Sequence, residues 1–227
     1  MDFSLSAYEW QAIRLSFVVA ANAVAMGLPL AILVSLALRW PALPGRSILN
    51  IIVHLPLVLP PVVVGWLLLV IFGIRGPVGQ FLNDWFGIRL VFTATGAALA
   101  CAVMTFPLMV RAISLSLASV DRGLEDAAST LGAKSIDRFF TVTLPLMAPG
   151  VVSGAITAYA ASLGEFGAVI TFASNVPGQT QTLPLAIFTA LQTPGGEEAA
   201  ARLSLISVAL AVAGLMFGEW VGKRLRP

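Results

Sequence analysis

Apolar side chains run along this chain in long, nearly unbroken stretches, and polar residues gather between them. Five stretches, 15–38, 51–72, 92–109, 147–172 and 203–221, approach the roughly 20 residues a helix needs to cross the hydrocarbon core of a bilayer. Each predicts a spanning helix. A further apolar run, 183–191, is too short to cross. It is expected to be re-entrant, interfacial or buried against other helices, with a sixth crossing as the less favoured alternative. The long polar interval, 111–143, falls between the third and fourth spans. The expected fold is an all-α membrane protein of about five transmembrane helices, one domain over 1–227 with this loop inside it.

Composition agrees with the pattern. The chain is 58% hydrophobic and 11% charged, against roughly 25% charged in soluble domains, and its mean hydropathy is +0.93. That leaves too little polar surface to cover a water-soluble globule. The net charge of +2 does not point to nucleic acid, because the basic residues are spread thinly and form no run. Their distribution instead gives an orientation, since short cytoplasmic loops carry an excess of Lys and Arg. With five crossings, one side holds nine basic residues: Arg39, Arg46, Arg111, Arg122, Lys134, Arg138, Lys223, Arg224 and Arg226. The other holds four: Arg14, Arg75, Arg89 and Arg202. The N-terminus is therefore expected on the periplasmic side, with the C-terminus and the 111–143 loop in the cytoplasm. Trp10, Trp40, Trp85 and Trp220 fall near predicted helix ends, where amphipathic rings favour the headgroup zone. The start of the chain, with Glu9 ahead of the first apolar run, lacks the positive region of a cleaved signal, so that segment is expected to persist.

Within the loop, Asp121 can cap a short helix, Glu125 and Asp126 suit its early turns, and Gly132 suits a left-handed C-terminal cap. Ser135 can cap a second helix that runs through Arg138, Phe139 and Phe140 towards Leu144 and Pro145. Two short helices joined at a glycine make a compact protrusion. Small Ala127, Ala128 and Ala133 side chains let a partner approach closely. An ordinary amphipathic loop on the membrane surface is the competing reading.

Elsewhere, Pro56, Pro60 and Pro61 remove backbone donors from the second segment and predict a kink; kinked helices line paths and gates, or simply pack. Glu165, flanked by Gly164 and Gly167, is an acid near membrane depth, which is costly unless it faces a polar cavity or a partner. A carboxylate repels anionic cargo, so a structural or gating role fits it better than direct binding; a place at the wet outer interface is the alternative. The small residues Gly150, Ser153, Gly154, Ala158, Ala161, Ser162, Gly164 and Gly167 permit close helix packing or form a pore wall. Thr171, Ser174, Thr180 and Thr182 can donate hydrogen bonds near the outer mouth. Cys101 and His54 have no companion ligands, so no metal site is expected. No nucleophile constellation suggests catalysis, and no phosphate-binding loop of the Gly-x-x-x-x-Gly-Lys-Ser/Thr type occurs.

Asp126-Ala127-Ala128, three residues, Gly132, then nine residues to Val142-Thr143-Leu144-Pro145 resembles the EAA loop of binding-protein-dependent ABC transporter permeases. Asp126 stands where Glu is usual and Val142 where Ile is usual, both close replacements. Three further motifs are similar to the molybdate permeases of the ModB family: His54, Pro56, Pro60, Pro61 and Gly65; Met104, Phe106, Pro107 and Arg111; and Ser162, Gly164, Glu165, Phe166 and Gly167. The resemblance implies a type I ABC importer permease, non-catalytic, in a bacterial inner membrane.

It further implies that Glu125, Asp126, Ala127, Ala128, Gly132 and Ala133, with Leu144 and Pro145, couple to an ATPase. Pro56, Pro60, Pro61, Ser162, Glu165, Phe166 and Gly167 are the candidate pathway or gate. The implied partners are a second copy of the chain, two ATP-binding cassette subunits and a periplasmic oxyanion-binding protein. ATP and Mg would be held by the partner ATPase and no cofactor by this chain. Tungstate or sulfate permeases share relatives of these motifs. A self-sufficient channel or secondary carrier is the alternative of another class, for which more crossings or repeated halves with mid-membrane charges are expected.

Overall fold

A computed structural model describes residues 5–40 and 42–225. Residues 1–4 and Arg226, which entered the sequence argument, lie outside that range. The described residues fold into helices in the order α1 (Ala7–Arg39), α2 (Arg46–Val58), α3 (Pro61–Phe72), α4 (Pro77–Phe86), α5 (Ala94–Ala118), α6 (Arg122–Thr130) and α7 (Ser135–Arg138). A π-helical turn (Phe139–Thr143) follows, then α8 (Leu144–Leu163), α9 (Gly167–Phe172), α10 (Leu183–Gln192) and α11 (Glu197–Leu225). Four continuous helices are long and apolar enough to cross a membrane, and the α2–α3 pair makes up to five. The predicted all-α membrane fold is borne out.

The second segment departs from the expected single kinked helix: α2 and α3 meet at 120°. Two consecutive prolines explain the full break. A residue preceding proline is pushed out of the α region, and here both Leu59 (ψ 143°) and Pro60 (ψ 135°) are extended. Pro61 then opens α3 at a position where its missing N–H is no loss. Pro56, by contrast, lies inside α2 without ending it. The fourth segment also differs. It starts earlier than expected, because α7, the π-turn and α8 form one continuous 29-residue helix, Ser135–Leu163. It also ends earlier, at Gly164, before α9 resumes. In the π-turn the Leu144 N–H reaches back five residues to the Phe139 carbonyl; Pro145 has no N–H for the Thr141 carbonyl, which loosens the ladder there.

The core is made by α1, α5 and α8, with α3 and α9 completing one end. Val19, Val64, Cys101 and Phe172 meet in one buried cluster; Ala31, Met109, Ile113 and Met147 meet in a second, nearer the α6 loop. Small residues decide how closely these helices approach. Gly150 faces α5 so tightly that an added Cβ would stand 2.3 Å from the Ser116 Cβ and 2.7 Å from the Ala112 carbonyl oxygen. The glycine-rich face of the fourth segment is thus, at Gly150 and Gly154, a helix seam within the chain. A third cluster, with Ile13, Leu183 and Leu203, holds the short α10 between α1 and α11. Next to it Glu9, only 3% exposed, accepts a 2.6 Å ion-pair contact from Arg202 while completing a capping box with Ser6. Both charges are therefore spent on joining the ends of α1 and α11.

Candidate coupling site

The loop after α5 folds largely as its residues dictate. The Asp121 side chain accepts a hydrogen bond from the Gly123 N–H (2.8 Å) and starts α6. At the other end Gly132 adopts φ +88°. Its N–H donates to the Ser129 carbonyl (3.0 Å), and the Ala133 N–H donates to the Ala128 carbonyl (3.0 Å). Those two bonds define a Schellman cap, which needs a left-handed residue where a Cβ is penalised. Ser135 does not act as the cap expected of it: it is the first residue of α7, and Lys134 precedes it with no side-chain bond.

One side chain ties this protrusion to the helix bundle. Glu125 Oε1 accepts from Arg39 Nη1 at 2.7 Å and from Thr143 Oγ1 at 2.7 Å, while Arg39 also donates to the Val120 carbonyl. α6 is thereby fastened to the last residue of α1 and to the π-turn that leads into α8. Arg138, from α7, donates to Ser129 Oγ and closes the two short helices on each other. Partial burial opposes the Glu125 charge, but the Thr143 hydroxyl and the Arg39 guanidinium outweigh it and hold the carboxyl below the usual carboxylate range. A depressed pKa stabilises the fastened loop above the unfolded value of about 4.3, and that contribution is lost as pH falls through the folded value. Loop attachment is therefore expected to be complete at neutral pH and to fail only in acid below that range. At neutral pH, Glu125→Gln keeps an acceptor for Thr143 but strands the Arg39 charge. Amide exchange across α6 should rise roughly tenfold, as expected for losing a charged hydrogen bond; unchanged protection would remove Glu125 as the anchor.

The outer surface is what remains. Asp126, Ala127 and Gly132 are exposed, Ala128 and Ala133 half-buried. Leu124, Leu131, Ile136 and Phe140 are also exposed, Leu131 at 89%. Exposed large apolar side chains of this kind are what a partner surface can cover. Leu144 is half-buried and Pro145 exposed at the start of α8. Arg39 and Thr143 escaped sequence reasoning as partners of this site. Arg39 registered only as a topological charge, and 86 residues separate it from Glu125.

The second group of predicted residues divides. Pro61 and Gly167 are brought together, an added Cβ on Gly167 falling 2.7 Å from the Pro61 Cβ. Phe166 packs on Phe188 with ring centroids 5.1 Å apart. Glu165 is half-buried and accepts from the Ala168 N–H at 2.9 Å, so it opens α9. Ser162 is buried, and its hydroxyl has no partner among the described residues. Pro60 is exposed at the break, whereas Pro56 lines a separate apolar cavity beside Met26 and Phe106. Of the hydroxyl residues expected near an outer mouth, Thr171 and Ser174 are half-buried and Thr180 and Thr182 buried. Thr180 accepts from the Val176 N–H and donates to the Ser174 carbonyl. Thr171 donates to Gly167 within α9. His54 hydrogen-bonds the Asn50 carbonyl one turn back.

The chain is a bundle of apolar, membrane-length helices that carries a capped, anchored pair of short helices between α5 and α8. Residues 12–227 match the family of binding-protein-dependent transport system inner membrane components, and the chain belongs to it. It is 55% identical over 215 residues to the molybdenum transport system permease protein ModB of Escherichia coli strain K12, across 95% of this chain and 94% of that one. The ModB protein of Haemophilus influenzae is 50% identical over 218 residues, across 96% and 95%. A solved bacterial ABC transporter that imports the acidic polysaccharide alginate superimposes with a TM-score of 0.76 at 17% identity, over 98% of this chain and 82% of that one, which establishes the shared fold. The resemblance drawn from the loop motif is thus borne out at the level of family and fold.

Proposed function

We propose that this chain is the permease subunit of a molybdate importer. The observation that carries it is the 55% identity to a molybdenum permease along nearly the whole of both chains. The loop geometry supports the coupling role: a helix held by Glu125 to both α1 and the α8 rod passes a displacement of its outer face to the bundle. In this reading Asp126, Ala127, Ala128 and Gly132 dock on an ATP-hydrolysing subunit, which holds ATP and Mg. Two copies of the chain enclose the path, the N-terminus faces the periplasm, and a periplasmic binding protein delivers the oxyanion. ATP-driven closure draws the two α6 helices together and opens the bundle outward; hydrolysis resets it. Radiolabelled molybdate uptake in a strain lacking the gene, with and without the gene restored, is the direct test. Restoration of uptake that excess sulfate does not compete away is the expected result, and competition by sulfate would reassign the cargo.

Glu165 serves this cycle as a gating residue in the same reading. Its carboxylate sets the start of α9, which packs against α3 through Gly65 and Gly167, so it governs how the broken halves sit together. Glu165→Gln retains an oxygen for the Ala168 N–H and removes the charge. Uptake should fall several-fold with the protein still inserted and assembled; normal uptake would defeat the gating role.

A further inference from the structure

Where α1 ends, α2 begins and α5 ends, the described residues line a cleft of about 670 Å³, open to the surface at the exposed Arg46, Ser47 and Asn50, which shares only Arg39 and Val120 with the coupling contacts. Its polar lining offers donors from the Arg39 and Arg46 guanidiniums, the Ser47 and Ser114 hydroxyls and the Asn50 amide, alongside the Ser35 hydroxyl, with no carboxylate among the lining residues. Ser114 Oγ is fully buried and has no hydrogen-bond partner among the described residues. A buried hydroxyl without a partner is costly to leave unpaired, and an occupant with acceptor oxygens relieves that cost. Arg39 is balanced by Glu125 on its far side, whereas Arg46 forms no ion pair among the described residues, so the cleft carries uncompensated positive charge. Arg46 also stands on the first turn of α2, whose Gly45 cap supplies no side-chain acceptor. The helix dipole there adds to the attraction for an anion.

We propose that this cleft binds a tetrahedral oxyanion of the phosphate type, with Arg46 as its charge partner and the Ser114 hydroxyl as a donor. Such oxygens come from two sources, the headgroup of an anionic phospholipid at the membrane surface or a free oxyanion in solution. The apolar part of the wall, Leu38, Leu117 and Val120, suits an acyl chain entering beside a headgroup. Arg39 lines the cleft and also holds Glu125, so the occupant touches the same side chain that anchors α6.

The test uses the full chain purified in a phosphate-free maltoside detergent and stripped of lipid. Phosphatidylglycerol is titrated in one arm, with occupancy read by native mass spectrometry. Inorganic phosphate and molybdate are titrated in the other, read by equilibrium dialysis. Saturable binding of one probe per chain is expected. Arg46→Gln should weaken it about tenfold and Ser114→Ala about threefold, while Arg14→Gln, an exposed arginine at the other end of α1, leaves it unchanged. Retention of phosphatidylglycerol identifies the lipid as the source; binding of phosphate or molybdate without lipid identifies the free ion. The proposal is overturned if neither probe saturates, if Arg46→Gln binds as tightly as the parent, or if Arg14→Gln weakens binding equally.

Discussion

Replacing Gly132 with proline is expected to abolish most substrate uptake while leaving the protein folded in the membrane and ATP hydrolysis by the proposed partner subunit running. Gly132 sits at φ +88°, and proline fixes φ near −65°. The substitution also deletes the N–H that donates to Ser129 and turns the chain away from the Ala133 to Ala128 bond. The combined cost is about 3 kcal/mol or more, and it falls on a nine-residue helix too short to persist without its caps and anchor. Beyond its immediate chain neighbours, no described atom lies within 4 Å of a Cβ built at Gly132, so the damage stays in the loop and the bundle survives. Gly132→Ala, which keeps the N–H and costs only about 1 kcal/mol at positive φ, should be mild. Transported oxyanion per ATP hydrolysed, measured in proteoliposomes, should fall at least tenfold for the proline variant. A ratio equal to the parent's would rule out coupling through this cap.

The largest structural effect is expected from Gly150→Leu. A Cβ there meets the Ser116 Cβ at 2.3 Å and the Ala112 carbonyl at 2.7 Å. The carbonyl belongs to helical backbone and has little room to retreat. Overpacking of a seam typically costs 1–3 kcal/mol, and a whole leucine against backbone lies at or beyond the top of that range. It also parts Ser116 from the Met147 carbonyl to which it donates. The variant should accumulate poorly and lose its thermal transition in detergent. Gly222→Ala, with no atom within 4 Å of the new methyl, is the matched control and should be neutral; a folded, fully active Gly150→Leu would mean that α5 and α8 do not close on each other as described.

Much of the fold was legible because its controlling variables are local. Lengths of apolar run placed the spans, and Asp121 and Gly132 each announce a helix end through their own backbone chemistry. The breaks were harder. Consecutive Pro60 and Pro61 signalled a disturbance, but a kink and a 120° turn differ by what packs on each half, here α9 against α3, which pattern alone does not specify. The continuity of α7 with α8 was hidden for the same reason: Pro145 reads as a boundary, yet a π-turn absorbs it. At the coupling site the exposed face was readable from small residues and spacing. The anchor was not, because Glu125 finds Arg39 across a gap of 86 residues, and a sequence lists charges without pairing them. The burial of Thr180 and Thr182 was equally hidden, because polar residues between apolar runs carry no local sign of what packs over them.

The unbroken helix from Ser135 to Leu163 has a mechanical meaning. At 1.5 Å per residue its 29 residues measure roughly 43 Å, with the anchored loop at one tip and Ser162, just before Glu165, at the other. Gly150 and Gly154, pressed on α5, lie past its middle, where a rigid tilt of this helix would pivot. A 5° tilt about that point would move the two tips about 2 Å each, in opposite senses. Such a lever needs no flexible relay: drawing the loop tips inward would swing the Glu165 ends outward in the same stroke.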